Sequence, residues 1–359
     1  MYTVQVLLST YNGETYLAEQ LDSILAQKEV NVKLLIRDDG SIDETTEILR
    51  TYASVHENIR YFCGENCGVV ASYFRLFECA DPEVDFYAFA DQDDVWDADK
   101  LSIACQKLEE MRQSDSEAEA VIPEKKEEKE QSANNKKRGK KKKKKNTVAE
   151  QPAPIPAEAE PALPPLRTYQ KPLLYCCDAL NTDEELNPLP ESMQTAGKSK
   201  IPDFRNALIE NIARGGSIVF NHALMAYVRI PMPADIYMHD WWLYLVASCF
   251  GEVYYDEQSH YSYRQHGGNV LGAAAPSGSG KFFRRLKQSK TNAGHISRQA
   301  KTFQRIYRVP QDKETYLNIV TKYRDVKKYR QMGKSGQYLF RQDPKDQKIF
   351  KLMFYSNHI

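Results

Sequence analysis

Apolar and polar positions follow two alternating periods over the first hundred residues. Residues 4–8 (VQVLL) form a short apolar run stopped by Ser9, Thr10 and Asn12-Gly13, the pattern of a strand buried on both faces. Tyr16, Leu17, Leu21, Ile24 and Leu25 then recur at helical spacing. A second apolar run at 32–36 closes on Asp38, Asp39 and Gly40. Ser41 and Asp43 suit the start of a helix carrying Thr46, Ile48 and Leu49. Residues 59–62 predict a third strand, 70–79 a helix, 85–90 a fourth strand and 101–111 a further helix. This order predicts an α/β fold with a mostly parallel sheet flanked by helices, whose ligands bind at the carboxyl ends of the strands.

The pattern breaks at residue 113. Residues 117–130 are Glu-rich, Lys136 to Lys145 is a basic run, 152–165 are rich in Pro and Ala, and no aromatic residue occurs before Tyr169. Such a composition reads as a disordered, charged insert over 113–167, either a solvated surface insertion or a patch for an anionic partner. The folded pattern resumes with a strand at 173–177, a loop and helix at 201–212, a strand at 217–220, a helix at 241–250 and a strand at 252–255. Gly278 and Gly280 mark a flexible junction. Beyond it Phe282, Phe283, Leu286, Phe303, Ile306, Tyr307, Ile349, Phe350, Leu352, Met353 and Phe354 stand among Lys and Arg, as in helices that lie on a surface. The expected division is 1–112, 113–167, 168–280 and a basic, amphipathic helical tail at 281–359.

Composition narrows this picture. With 42% hydrophobic residues among 359, the chain can bury a full core and is not wholly disordered. No run approaches the roughly 20 apolar residues of a spanning helix. The amino terminus lacks a basic region before its apolar run and reads as a first strand, not a signal peptide. Seven irregularly spaced Cys, with no second pair to match Cys63 and Cys67, suggest free buried thiols in a reducing cytosol. A net charge of zero conceals a strong asymmetry. Residues 281–359 hold 20 Lys and Arg against 5 Asp and Glu, and 109–167 hold 14 against 12, which leaves −17 on the remainder. A basic tail suits an anionic membrane surface or nucleic acid, or is a helical segment packed on the acidic body. It shows no nucleic-acid motif, so no nucleic acid is expected.

Four clusters carry candidate chemistry. Residues 9–13 (STYNG) end the first strand and are either a simple turn or part of a site. Residues 37–41 (RDDGS) end the second, where Asp38 and Asp39 either accept hydrogen bonds from a ribose or base, or cap a helix. Residues 90–96 (ADQDDVW) follow the fourth. Three carboxylates in four residues repel one another, and oxygen ligands at a strand end suit Mg²⁺ or Mn²⁺. Residues 238–242 (MHDWW) open an apolar helix. There Asp240 is a cap or a general base beside apolar walls that raise its proton affinity. All three Trp lie in the last two clusters, and aromatic faces beside carboxylates commonly hold sugar rings. His260 follows, and then His266 beside Gly267 and Gly268, where backbone can approach a ligand closely.

VQVLLSTYNG, RDDGS, FADQDDVW, HDWW and QHGGN, in that order, resemble glycosyltransferase family 2, in particular its bacterial rhamnosyltransferase-like branch. The resemblance covers about residues 2–110 and 168–272. It implies the GT-A fold, with a nucleotide-sugar (donor) half at 1–112 and an acceptor half at 168–280. It also implies that Thr10, Tyr11, Asp38 with its neighbour Asp39, and Asp91 hold the donor nucleotide. Asp93 and His266 would bind the divalent metal, although Asp94 leaves that ligand ambiguous by one residue. Asp240 would be the catalytic base, and Gly215, Gly216 and Ser217 would line the acceptor pocket, together with Trp96 and Trp241. The insert has no counterpart in the family.

The expectation is an inverting, metal-dependent sugar transferase. Its candidate donor is dTDP-rhamnose, and its acceptor a lipid-linked or growing surface polysaccharide. It would sit in the cytoplasm, peripheral on the inner face of the plasma membrane. Two rivals remain: a nucleotidyltransferase of sugar metabolism, which usually shows a richer Gly loop than Gly13 alone, and an inactive binding module, which would lack an acidic motif.

Overall fold

The computed structural model describes residues 1–120, 171–195, 197–267 and 294–356. Four strands, β1 (Tyr2–Thr10), β2 (Val30–Asp38), β3 (Ile59–Cys63) and β4 (Phe86–Ala90), alternate with helices α1 (Leu17–Leu25), α2 (Thr45–Val55) and α3 (Val69–Cys79). β5 (Val95–Trp96) and α4 (Lys100–Ala120) follow, then β6 (Leu173–Thr182), the short α5 (Phe204–Ala207), β7 (Val219–Asn221) and α6 (His222–Val228). α7 (His239–Phe250) and β8 (Glu252–Arg264) complete the sheet region, and α8 (His295–Ile306), α9 (Gln311–Thr321), α10 (Lys327–Ser335) and α11 (Pro344–Ser356) end the chain.

One eight-stranded sheet runs in the order β3-β2-β1-β4-β7-β6-β8-β5. β1 pairs in parallel with β2 and β4, β2 with β3, and β6 with β8. β7 is antiparallel to both its neighbours, and β5 to β8. The fold is therefore α/β with a mostly parallel sheet flanked by helices, as the sequence predicts. The seam between β4 and β7 pairs Tyr87 with Phe220, so stretches on either side of the insert share one sheet.

Period-two alternation sends neighbouring residues to opposite faces, and both faces are buried. Leu7, Tyr87 and Phe89 join one core layer with α3, α5, α6, α7 and the carboxy-terminal helices. Val6, Leu8, Phe86, Ala88 and Ala90 join the other with α1, α2 and α4.

Four expectations need correction. β8 runs to Arg264, well past residue 255, and β5 and α6 went unread because two- and seven-residue elements leave too few positions to show a period. α4 continues to Ala120, inside the segment expected to be disordered; the rest of that insert lies outside the described residues, as do Phe282, Phe283 and Leu286. Cys63, Cys67 and Cys79 are exposed while Cys105, Cys176, Cys177 and Cys249 are buried, and all seven are free. Much of the apolar stripe of the tail faces protein: Phe303, Ile349, Phe350, Met353 and Phe354 are buried, while Ile306 and Leu352 are exposed. Phe303 packs edge-on against Trp242 with ring centroids 5.6 Å apart and completes the layer above α7. No helix among the described residues is long and apolar enough to cross a membrane.

Candidate active site

The carboxyl ends of β1, β2 and β4 open on one edge of the sheet, and the four sequence clusters meet there or nearby. Gln92, which the sequence reading passes over, clips two of them together. Its Oε1 accepts the Thr10 hydroxyl at 2.7 Å and the Tyr11 N–H at 2.8 Å, and its amide donates to the Tyr11 carbonyl at 3.2 Å. Thr10 is thereby buried, whereas the Tyr11 ring stays 45% exposed and available to a flat base. The signal for Gln92 was its place between two acidic residues, which drew attention away from it.

The second cluster is closed on itself. Asp38 accepts the Ser41 hydroxyl at 2.5 Å and the N–H groups of Gly40 and Ser41 at 3.2 and 3.1 Å, a tight turn in which Gly40 takes a φ of +81°. Asp39 takes the Arg37 guanidinium at 2.5 Å and the N–H groups of Cys67 and Gly68 at 2.9 and 2.8 Å. These bonds outweigh burial and hold its carboxyl below the usual range. Both carboxylates are almost fully buried. Asp39 Oδ1 is engaged by Arg37 and Cys67 and its Oδ2 by the Gly68 N–H, bonds that fasten the 64–68 loop to β2.

The third cluster is the electrostatic centre. Asp91 is half-buried, and Asp93 and Asp94 are buried. Burial, then the neighbouring carboxylates, raise the proton affinity of Asp91 and Asp94. Asp94 faces inward. Its Oδ1 accepts the Arg264 N–H at 3.3 Å, and its Oδ2 has no hydrogen-bond partner among the described residues. Asp93 turns toward the cleft, where its Oδ2 meets His266 Nε2 at 2.6 Å. The ring of His266 lies 5.0 Å from Tyr16, and Arg264, held by the Asp93 carbonyl at 2.9 Å, packs over the same tyrosine at 4.5 Å.

Among the described residues no three His, Cys, Asp or Glu side chains gather tightly enough to enclose a metal ion. The Asp93–His266 pair nonetheless fits the partial ligand set by which a protein shares Mg²⁺ or Mn²⁺ with substrate phosphates. The burial and mutual repulsion that raise the proton affinity of Asp91 and Asp94 are consistent with the same fit. Of the two candidates, Asp94 is fully enclosed and Asp93 is 9% exposed.

A cation lies beneath this cluster. Lys100 is fully buried, its ammonium 3.4 Å from the centre of the Trp96 ring. Burial pushes its pKa down to about 8, against the pull of Cys177, Asp94 and Asp91. Trp96 is itself 4% exposed and belongs to the core layer of α1 and α4. Its expected acceptor contact is corrected: the cation–π contact and the short β5–β8 pairing turn the ring inward.

The fourth cluster completes the site from α7. Asp240 Oδ2 accepts the Gly215 N–H at 3.1 Å and Oδ1 the Trp241 N–H at 2.6 Å. Burial pushes its pKa up to about 6 in spite of these bonds. Gly215 and Gly216 form the turn between Asp240 and the β4 cluster. A side chain at Gly216 would begin 2.6 Å from Asp94 Oδ2 and 3.3 Å from the Tyr261 ring, so only glycine allows this approach. Ser217 hydrogen-bonds back to the Arg214 carbonyl at 2.7 Å. Trp241 is half-buried, anchored by its indole N–H to the Ala207 carbonyl at 2.7 Å. His239 is buried and stacked on Tyr73. His260 pairs with Asp256 at 3.3 Å, away from this cluster.

Comparison with known proteins bears on the amino-terminal part of the chain. Residues 5–154 match the model of the family described as "Glycosyl transferase family 2". The chain is 38% identical over 106 residues to the dTDP-rhamnosyl transferase RfbG of Shigella flexneri, covering 28% of this chain and 36% of that protein. It is 33% identical over 99 residues to the putative teichuronic acid biosynthesis glycosyltransferase TuaG of Bacillus subtilis, covering 27% and 38%. The matched stretches thus span little more than a third of these relatives. The structure of S. aureus TarS 1–349 in complex with UDP-GlcNAc overlaps 99% of this chain and 91% of that one, at 14% identity and a TM-score of 0.49. The amino-terminal part of this chain is a glycosyl transferase family 2 domain.

Proposed function

We propose that the chain moves a sugar from a nucleoside-diphosphate donor to an acceptor hydroxyl with inversion at the anomeric carbon. The observation that carries this reading is the juxtaposition, across Gly215 and Gly216, of the Asp91–Asp94 cluster with a single carboxylate, Asp240, whose proton affinity is raised. The donor half would be 1–112, with Tyr11 against the base and Asp91 near the diphosphate. The acceptor half would be 168–280, with Trp241 beside the sugar. Asp93 and His266 would hold a divalent cation, which when bound offsets the diphosphate charge.

Asp240 takes the proton of the acceptor hydroxyl. The freed oxygen bonds to the anomeric carbon as the carbon–oxygen bond to the diphosphate breaks, and its electron pair leaves with the diphosphate. A pKa of about 6 leaves Asp240 ionised at neutral pH yet more basic than an ordinary carboxylate.

RfbG suggests rhamnose from dTDP-rhamnose as the donor sugar, and TuaG, a putative teichuronic acid biosynthesis glycosyltransferase, suggests a cell-surface polysaccharide as the acceptor. A lipid-linked acceptor would bring the chain to the inner face of the plasma membrane. The +15 excess on 281–359 supports that placement. So does a groove of about 430 Å³ lined by Arg324, Asp325, Lys327, Arg330, Gln331 and Lys334. With most of the apolar stripe of the tail in the core, adsorption would be chiefly electrostatic, at about 1 kcal/mol per basic residue near the surface.

The test is a panel of dTDP-, UDP- and GDP-sugars given to the purified protein with Mg²⁺, with Mn²⁺ and with chelator. Hydrolysis or transfer with one donor, lost on chelation, supports the reading. No turnover with any donor refutes it. Flotation on anionic vesicles that is lost at high salt supports the membrane placement, and flotation unchanged by salt, or none at all, refutes it.

A further inference from the structure

His239 is 2% exposed, and neither ring nitrogen has a hydrogen-bond partner among the described residues. A neutral imidazole carries one N–H donor and one acceptor nitrogen, and leaving both unsatisfied in the interior is unfavourable. A ring required only for packing would be better served by Phe. The imidazole is nevertheless held firmly. It stacks on Tyr73 with centroids 3.6 Å apart and planes 11° from parallel, and the edge of Phe89 meets it at 5.2 Å.

Its Nε2 is aimed at the site. A Cβ added at Gly215 would stand 3.5 Å from His239 Nε2 and 3.6 and 3.7 Å from the two carboxylate oxygens of Asp91, so these groups converge on that glycine. The same glycine donates its N–H to Asp240. A locked, uncharged hydrogen-bonding group and two carboxylates therefore converge on one glycine. Burial alone, which lowers the His239 pKa to about 3, keeps the ring neutral there.

We propose that His239 is a substrate-contacting residue whose Nε2 hydrogen-bonds a hydroxyl of the sugar held between Asp91 and Asp240. This rests on the transferase reading above. A hydroxyl fits because it can donate to or accept from either imidazole tautomer, and because it adds no charge to an acidic space.

The test compares the wild-type protein with H239F, which keeps the stacked ring and removes both nitrogens, and with H239Q, which keeps hydrogen bonding and loses the ring. The probes are the nucleotide sugar that wild type hydrolyses and the matching nucleoside diphosphate. H239F should melt no lower than wild type and bind the diphosphate unchanged, yet lose about tenfold or more in affinity or kcat/KM for the nucleotide sugar. H239Q should retain most of the preference for the sugar. A loss in H239F confined to transfer, with donor binding and hydrolysis unchanged, assigns the hydroxyl to the acceptor and also supports the proposal. Wild-type sugar preference in H239F overturns it. So does an equal loss in folded H239Q, which would make the ring itself the requirement, and so does unfolding of H239F while H239Q stays folded. Absence of hydrolysis by wild type itself refutes the transferase reading, and this inference with it.

Discussion

Asp240 offers a prediction in which activity and stability move in opposite directions over one pH window. Its pKa rises from 3.8 to about 6 on folding, chiefly through burial. At about 1.4 kcal/mol per pH unit, this corresponds to about 3 kcal/mol. Below pH 4 the residue is protonated in both states and the penalty is absent. Between pH 4 and 6 the unfolded chain ionises while the folded one stays protonated, so stability falls. Above pH 6 the full penalty remains. Asp240→Asn removes this dependence. Urea unfolding at several pH values should show the variant gaining about 3 kcal/mol on wild type between pH 4 and pH 7.5. The comparison uses the change with pH, so the altered hydrogen bonds to Gly215 and Trp241 cancel to first order. Wild-type kcat/KM should rise about tenfold per unit below pH 6 and level off above it, and the variant should lose about 100- to 10,000-fold. A stability gap that does not change with pH, or a rate limb near pH 4, would refute the burial argument. Transfer by the variant within tenfold of wild type would remove Asp240 as the base.

Asp93→Asn should lower transfer by on the order of a thousandfold while leaving the thermal melt in place, and transfer within tenfold of wild type would exclude Asp93 as a metal ligand. Gly216→Ala must displace Asp94 or Tyr261 and should cost about 1–3 kcal/mol, whereas Gly215→Ala meets only ordinary contacts and should fold normally; equal melting temperatures for the two would contradict the geometry. A chain ending at Gly280 should lose cooperative unfolding and expose apolar surface to a hydrophobic dye, since Phe303, Leu317, Val320 and Phe354 leave the core layer they complete. A monomeric, cooperatively folding truncation would show that the tail is a separate unit.

Local pattern determined the amino-terminal strands and helices, because the runs of β1, β2 and β4 are largely buried on both faces and each break coincides with a turn. The acidic cluster and Asp240 were legible as chemistry for a similar reason: carboxylates beside apolar strands and helices are unfavourable unless something uses them. Sequence alone could not tell which carboxylates face the cleft. Asp38, Asp39, Asp91, Asp93 and Asp94 all follow apolar strands, yet Asp39 is filled by Arg37 and the 67–68 backbone, and Asp94 points to the interior above Lys100. Those differences depend on donors supplied from distant residues. The same holds for Trp96, turned inward by Lys100, and for His239, which is defined by Tyr73 and Gly215. The tail makes the point most plainly. Its amphipathic periodicity is fixed by the chain, but a membrane and a core layer reward the same stripe, and only the helices already packed around Trp242 decide that Phe303 and Phe354 belong to the protein.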